Sequence, residues 1–193
     1  IETAAFCEID KHAAAVLRYH WPDIPIVSDV RIVKGDDYGE ILLVHGGAPC
    51  QDLSTAGARK GFQNGKRSIL VFEQLRVWDE SQAPYLLWEN VPGALSSKQG
   101  WDFAALLSAI VGAPIPVPAG GWSTGGVAAG PTAVAAWRLL HLDAFGVPQS
   151  RPRIVVLAAR AGGADPAEVL ALSHRGPHAV SPCIETRPPH EPR

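Results

Sequence analysis

The sequence predicts an α/β protein: a three-layer sandwich in which helices cover both faces of a mostly parallel sheet. Three observations predict it. Short apolar runs alternate with helical patterns from residue 3 to residue 159, as in successive strand–helix–strand units. Ile41, Leu42, Leu43 and Val44 form an unbroken apolar run, which suits a parallel strand covered on both faces. Phe103, Leu106, Leu107 and Ile110 recur at i, i+3, i+4 and i+7, the pattern of one helix face.

The elements follow in order. Residues 3–9 are apolar enough for a buried strand, and Asp10 is a good N-cap for a helix whose apolar face is Ala13, Ala14, Val16 and Leu17. Residues 24–30, after Pro22, form a short strand candidate. Residues 68–78 read as a helix, with Val71, Phe72, Leu75 and Trp78 on one side. A strand at 85–88 precedes the helix of Phe103 to Ile110, which Gly112 can stop. Residues 112–134 are rich in Gly, Pro and Ala and read as a flexible surface insertion. Two strands follow, at 135–142 and 154–159, and Asp165-Pro166 caps a short last helix. From Ser173 onward the chain is rich in Pro, His and Arg without periodicity, which reads as a disordered or truncated tail. The expected organisation is one catalytic domain over 1–165, then a short helix and tail over 166–193. There are no internal repeats.

Bulk properties narrow the function classes. The 193 residues suffice for one domain with a real core. The net charge of −2 gives no global basic field, yet residues 57–67 carry Arg59, Lys60, Lys66 and Arg67 with no acid among them. Three widely spaced cysteines, Cys7, Cys50 and Cys183, suit a reducing cytoplasm better than a disulfide framework. No apolar run reaches the length of a membrane span. The chain has no methionine and begins inside what reads as a strand, so it reads as incomplete.

The chemistry concentrates at three places. The run Gly46-Gly47-Ala48-Pro49-Cys50-Gln51 places a cysteine just after an apolar strand. Taken alone, a cysteine is more often a small buried hydrophobe than a nucleophile. Here the glycines allow a sharp exit from the strand, Pro49 fixes the backbone, and polar Gln51-Asp52 follows. A thiolate becomes a strong nucleophile when nearby positive charge favours it, and Arg59, Lys60, Arg151 and Arg153 are candidates to supply that charge. Glu89 ends the strand Tyr85-Leu86-Leu87-Trp88, where a partly desolvated carboxyl could donate a proton. Arg151 and Arg153 alternate, so on a strand they share a face and offer fixed cations to a carbonyl oxygen or a carboxylate.

These three clusters, in this order, resemble the catalytic motifs of the cytosine-5 DNA methyltransferases. The resemblance implies a Rossmann-like fold that uses S-adenosyl-L-methionine. It implies Cys50 as the nucleophile at position 6 of cytosine, Glu89 as the partner of ring N3, and Arg153 on the base O2 with Arg151 in support. The target base must be flipped out of double-stranded DNA to be reached. Segment 51–67, punctuated by Gly57, Gly61 and Gly65, is similar to the family's mobile loop. It implies DNA contacts from Gln51, Ser54, Arg59, Lys60, Lys66 and Arg67. Phe6-Cys7-Glu8-Ile9-Asp10 resembles the segment whose acid holds the cofactor ribose, and Ser28-Asp29-Val30 the one that meets adenine. Cofactor contacts are therefore implied for Glu8, Ile9, Asp29, Val30, Pro49 and Leu70. Phe145-Gly146-Val147-Pro148-Gln149 is similar to the turn leading to the arginine pair. The resemblance further implies a cytoplasmic monomer, bacterial or phage-encoded, with a cognate restriction endonuclease as a candidate partner.

The chain also departs from the family pattern. The first motif, a strand followed by Phe-x-Gly-x-Gly that wraps the methionine end of the cofactor, is absent from these 193 residues, as is the target-recognition domain. Loss of that strand predicts a gap beside the strand at residues 3–9. Two other readings stand beside the enzyme: a non-catalytic remnant that at most binds DNA or a partner, and an unrelated thiol hydrolase pairing Cys50 with His45 or His141.

Overall fold

The computed structural model describes residues 1–48, 68–146, 148–172 and 184–185. Strand β1 (Phe6–Cys7) leads into helix α1 (Lys11–His20), and β2 (Ile26–Val27) returns beside β1. Asp10 caps α1 as the sequence predicts: its Oδ1 accepts from the backbone N–H of His12 at 2.9 Å and of Ala13 at 2.8 Å. Next come β3 (Leu43–Gly46), α2 (Ser68–Glu80), β4 (Tyr85–Asn90) and α3 (Trp101–Val111). The chain ends with β5 (Gly125–Ala129), β6 (Val134–His141), β7 (Pro152–Ala159), α4 (Pro166–Leu172) and β8 (Ile184–Glu185).

Six strands form one sheet in the order β3-β4-β7-β6-β5-β8. β3 and β4 run parallel, with Leu43 opposite Tyr85 and Gly46 opposite Trp88. β7 is antiparallel to both β4 and β6, and β6 is antiparallel to β5. The fold is α/β as predicted, but the sheet is mixed rather than mostly parallel. Connection length is the physical reason. Parallel neighbours need a long crossover, which α2 supplies between β3 and β4. Residues 130–133 alone join β5 to β6, too short for anything but a hairpin. Between β6 and β7 the described residues form a single short 3-10 helix, Leu142–Phe145, not a crossover α-helix.

The segment 112–134 is not a surface insertion. It contains β5, and Trp122 within it packs edge-on against Phe103 at 5.1 Å and Trp137 at 5.6 Å. The Trp122 indole N–H donates to the carbonyl of Gly100 at 2.8 Å. The small residues that resemble a loop serve close packing: a Cβ on Gly126 would come within 2.3 Å of the Trp137 ring. Gly112 does stop α3, in the left-handed conformation at φ 75°.

The main core lies between the sheet and the layer of α2 and α3. Phe103, Leu106, Leu107 and Ile110 are fully buried there with Val71, Leu86 and Trp88. A smaller cluster on Ala136, Leu157 and Leu170 seats α4 against β6 and β7. The predicted last helix is α4, which packs back on the sheet, and β8, within the predicted tail, pairs with β5.

β1 and β2 form their own parallel pair, Phe6 opposite Ile26. Among the described residues no strand joins β1 to β3. Instead a cavity of about 880 Å³ separates them, lined by Phe6, Cys7 and Val27 on one side and Leu43, Val44 and His45 on the other. The gap predicted beside the first strand is thus an open break in the sheet. Polar ties bridge the N-terminal unit to α2: Arg76 donates to the carbonyls of Val30 (2.9 Å) and Val33 (2.8 Å), and Glu80 accepts from the backbone N–H of Gly35 at 2.9 Å.

The aromatic cluster yields a test. Phe103 has no exposed surface and touches Trp88, Trp122 and Trp137. Phe103→Ala is expected to lower unfolding free energy by about 3–5 kcal/mol in urea titrations, the range for emptying an aromatic site in a packed core. A loss under about 1 kcal/mol would show that the cluster does not pack as described.

Candidate active site at the ends of β3, β4 and β7

The site is built from strand ends that meet at one edge of the sheet. β3 ends at Gly46, and Gly47 and Ala48 follow. The Ala48 carbonyl accepts two hydrogen bonds from β4: the Trp88 indole N–H at 3.0 Å and the Asn90 amide N–H at 3.1 Å. These donors flank Glu89, so the chain leading to Pro49 and Cys50 is pinned on either side of that carboxylate. Gly47 leaves room for it, since a Cβ there would lie 3.1 Å from Glu89 Oε2.

Glu89 pairs with an arginine. Arg153 Nε lies 2.6 Å from Glu89 Oε1, with side chains 16% and 38% exposed respectively. The pairing follows from register: Asn90 opposes Ile154 on the antiparallel neighbour β7, so the end of β4 meets the start of β7. The structure thus brings Glu89 and Arg153 side by side. Arg153 Nη1 also donates to the carbonyl of Pro152 at 2.8 Å, which further orients the guanidinium. Arg151 stands outside this pair. It precedes the first residue of β7 and is exposed, so the two arginines do not share a strand face.

Pro49, Cys50, Gln51, Ser54, Arg59, Lys60, Lys66 and Arg67 lie outside the described residues, as does Val147. The predicted nucleophile and DNA contacts thus rest on sequence. What the sequence misses is the polar clamp on Ala48. Trp88 reads only as strand core, and Asn90 only as the start of a turn.

The second group of predicted residues lies at the ends of β1 and β2. Glu8 Oε1 accepts from the backbone N–H of Asp10 at 2.8 Å, while its Oε2 has no partner among the described residues. The Cys7 thiol is pushed above its ordinary range, first by partial burial and then by the carboxylates of Asp29 and Glu8. Asp29 and Glu8 therefore face a common region. Asp29, however, is already engaged. Its Oδ1 accepts from the backbone N–H of Arg31 at 3.0 Å and from Arg31 Nε at 2.9 Å, and Oδ2 pairs with the rest of the guanidinium. Its pKa is lowered to about 2, chiefly by the Arg31 side chain and then by the Arg31 backbone N–H. Val30 lines the cavity between β1 and β3; Ile9 is 72% exposed, and Leu70 sits half-buried in the first turn of α2. Among the described residues no group of His, Cys, Asp and Glu could hold a metal ion, and no helix is long and apolar enough to cross a membrane.

A model of the C-5 cytosine-specific DNA methylase family matches residues 1–169. The type II methyltransferase M2.BsuMI of Bacillus subtilis is 31% identical over 81% of this chain and 36% of its own length. The DNA N-6-adenine-methyltransferase of Escherichia phage P1 is 30% identical over 86% of this chain and 27% of its own length. The type II methyltransferase M.AquIA of Picosynechococcus is 31% identical over 83% of this chain and 64% of its own. The chain thus spans about a quarter to two thirds of these relatives. Among solved structures, the S. pombe Dnmt2 methyltransferase superposes with a TM-score of 0.57 at 17% identity, over 91% of this chain and 49% of that one. This likeness shows the fold.

The Asp29–Arg31 pair makes a pH prediction. Since the folded pKa lies below the unperturbed value of about 3.9, the contribution of Asp29 to stability is complete above pH ~4 and is lost as pH falls toward 2. In Arg31→Ala the Asp29 midpoint, read from its carboxyl carbon by NMR, should rise toward about 3.9 but stop short, because the backbone N–H still donates. A midpoint unchanged in the variant would remove Arg31 as the cause.

Proposed function

The chain belongs to the C-5 cytosine-specific DNA methylase family, and on that premise we propose that it carries the nucleophile and base pocket of a DNA (cytosine-5-)-methyltransferase. The observation that carries this reading is the Glu89–Arg153 pair at 2.6 Å, set beside the strand exit that leads to Cys50. Cytosine offers ring N3 and the O2 carbonyl as adjacent atoms of one edge. A carboxyl and a guanidinium held side by side match that edge, Glu89 toward N3 and Arg153 toward O2.

The chemistry needs each group for a reason. Carbon 5 of cytosine is a poor nucleophile. Addition of the Cys50 thiolate at carbon 6 pushes an electron pair into the ring, and carbon 5 becomes carbanion-like. Glu89 supports this state by sharing a proton with N3, and Arg153 holds the negative charge that gathers on O2. Carbon 5 would then take the methyl group that S-adenosyl-L-methionine supplies, the methyl–sulfur bond breaking with its electron pair left on sulfur. Loss of the carbon-5 proton to solvent would expel the thiolate and restore the ring. Arg151, exposed at the head of β7, supports from the rim. The base reaches this pocket only outside the duplex, and Gln51, Ser54, Arg59, Lys60, Lys66 and Arg67 would meet the DNA around it.

Proteins of this family use S-adenosyl-L-methionine, which supplies an electrophilic methyl group. The residues at the ends of β1 and β2 fit its ribose and adenine. The free Oε2 of Glu8 can accept from a ribose hydroxyl, as acids do at strand ends in dinucleotide sites. Val30 borders the cavity beside it, whereas Asp29 can meet adenine only once Arg31 lets go. Ile9, Pro49 and Leu70 complete the proposed contacts. A monomer acting with or without a restriction endonuclease fits the type II names of the relatives.

The phage P1 relative's name points to adenine N6 instead. An exocyclic amine already has a lone pair to give, so it needs no cysteine adduct. The cysteine that follows Pro49 and the Glu89–Arg153 pair favour cytosine.

The test uses the longest natural polypeptide that contains these residues, with S-adenosylmethionine and a duplex bearing 5-fluorocytosine. Fluorine cannot leave as a proton does, so the adduct is trapped. A covalent complex through Cys50 is expected, and Cys50→Ser should abolish both it and methylation. Methylation that survives in Cys50→Ser, or lands on adenine N6, would defeat the reading. DNA binding without any adduct would favour the non-catalytic remnant. Glu89→Gln should slow the chemical step by about 2–4 kcal/mol, the scale of a lost acid or charge-stabilising group, with DNA affinity little changed. Undiminished turnover in that variant would remove Glu89 from the mechanism.

A further inference from the structure

We propose that the pocket between β6 and α4 binds a small oxyanion, a carboxylate or a phosphate, on the guanidinium of Arg138. Arg138 sits on β6 between Gly125 of β5 and Val155 of β7, and it is 8% exposed. It is the one buried arginine among the described residues. It has no acidic partner there. Among the described residues its side chain makes one hydrogen bond, from Nη1 to the carbonyl of Leu170 in α4, at 3.1 Å. A guanidinium has five N–H donors, and a carbonyl at the end of a helix offers only a partial charge. The remaining donors of Arg138 are not sealed away, since none of them is among the fully buried polar atoms without a partner. They open on a pocket of about 480 Å³, within the usual range for small-molecule sites.

A buried charge without a counter-charge is costly, and a guanidinium matches a planar or tetrahedral oxyanion two donors at a time. The walls suit such a guest. Gly125, directly opposite Arg138, brings no side chain, and Ala136, Leu170 and Ala171 give an apolar floor. Thr124 and His141 add polar groups to the lining. Asp143 also borders the pocket. Its carboxylate repels a second negative group, so the site selects a singly anchored small anion over a polyanion such as DNA. The proposal rests on these residues alone and not on the methyltransferase reading.

The test follows the Arg138 Nε–H signal in protein labelled with 15N-arginine. Potassium phosphate and potassium acetate are titrated separately, with potassium chloride holding ionic strength constant. At least one of them should move the signal saturably with a dissociation constant near or below about 1 mM, and which one does so names the source. Arg138→Met should abolish binding of that anion by calorimetry. Ala171→Trp, on an exposed position of α4, keeps Arg138 but fills the pocket, and should weaken binding about tenfold or more. A linear drift with both anions would overturn the proposal. So would unchanged affinity in Arg138→Met or Ala171→Trp, or a duplex oligonucleotide that moves the signal at lower concentration than either anion.

Discussion

The antiparallel seating of β7 beside β4 is the constraint on which the site depends. Glu89 and Arg153 are far apart in sequence, and neither strand alone brings them together. They meet because the register sets Asn90 opposite Ile154, so that β4 ends where β7 begins. Had β7 run parallel, its first residues would lie at the far edge of the sheet. The same edge holds the Ala48 carbonyl, through Trp88 and Asn90. Trp88 joins core and site: its ring is buried against Phe103, while its N–H reaches out to the strand exit before Cys50.

The ion pair at this edge adds little to stability. With Glu89 more than a third exposed, such a pair contributes about 1 kcal/mol or less. Its value is positional, because each partner fixes the other's rotamer at the end of the sheet. The polar ties elsewhere do structural work. Arg76 joins Glu73 and Glu80 at 2.7 Å and also donates to two carbonyls of the N-terminal unit. Across an open break in the sheet, that network supplies hydrogen bonds that a continuous ladder would otherwise supply.

Much of the fold is legible in the sequence, and the illegible parts have a common cause. α3 is legible because its apolar positions follow the helical period and Gly112 marks its end. β5 is not, because Gly125, Gly126, Ala128 and Ala129 lack the bulky side chains that signal a strand. Gly126 in particular is small because the Trp137 ring takes the space, a tertiary reason that composition does not carry. The hairpin at residues 130–133 is hidden with β5, and with it the antiparallel half of the sheet. At the site, Glu89 and Arg153 are legible one at a time as charged residues at strand ends. Their adjacency is not, since it depends on strand order and sense. The engagement of Asp29 by Arg31 is local, and an acid two residues before an arginine at a turn is a pattern the sequence does contain.

The packing of Trp88, Phe103, Trp122 and Trp137 has an optical consequence. Trp122 and Trp137 lie 5.6 Å apart at 84°, close enough for their excited states to couple, and such coupling gives paired bands of opposite sign in ultraviolet circular dichroism. Trp88 contacts Phe103 in the same cluster, and its N–H is hydrogen-bonded to the residue that precedes Pro49. Indole emission shifts with the hydrogen bonding of that N–H. The molecule therefore carries a built-in chromophore at the base of the segment that bears Cys50, and a change in the hydrogen bond at Ala48 is readable in its emission without any attached dye.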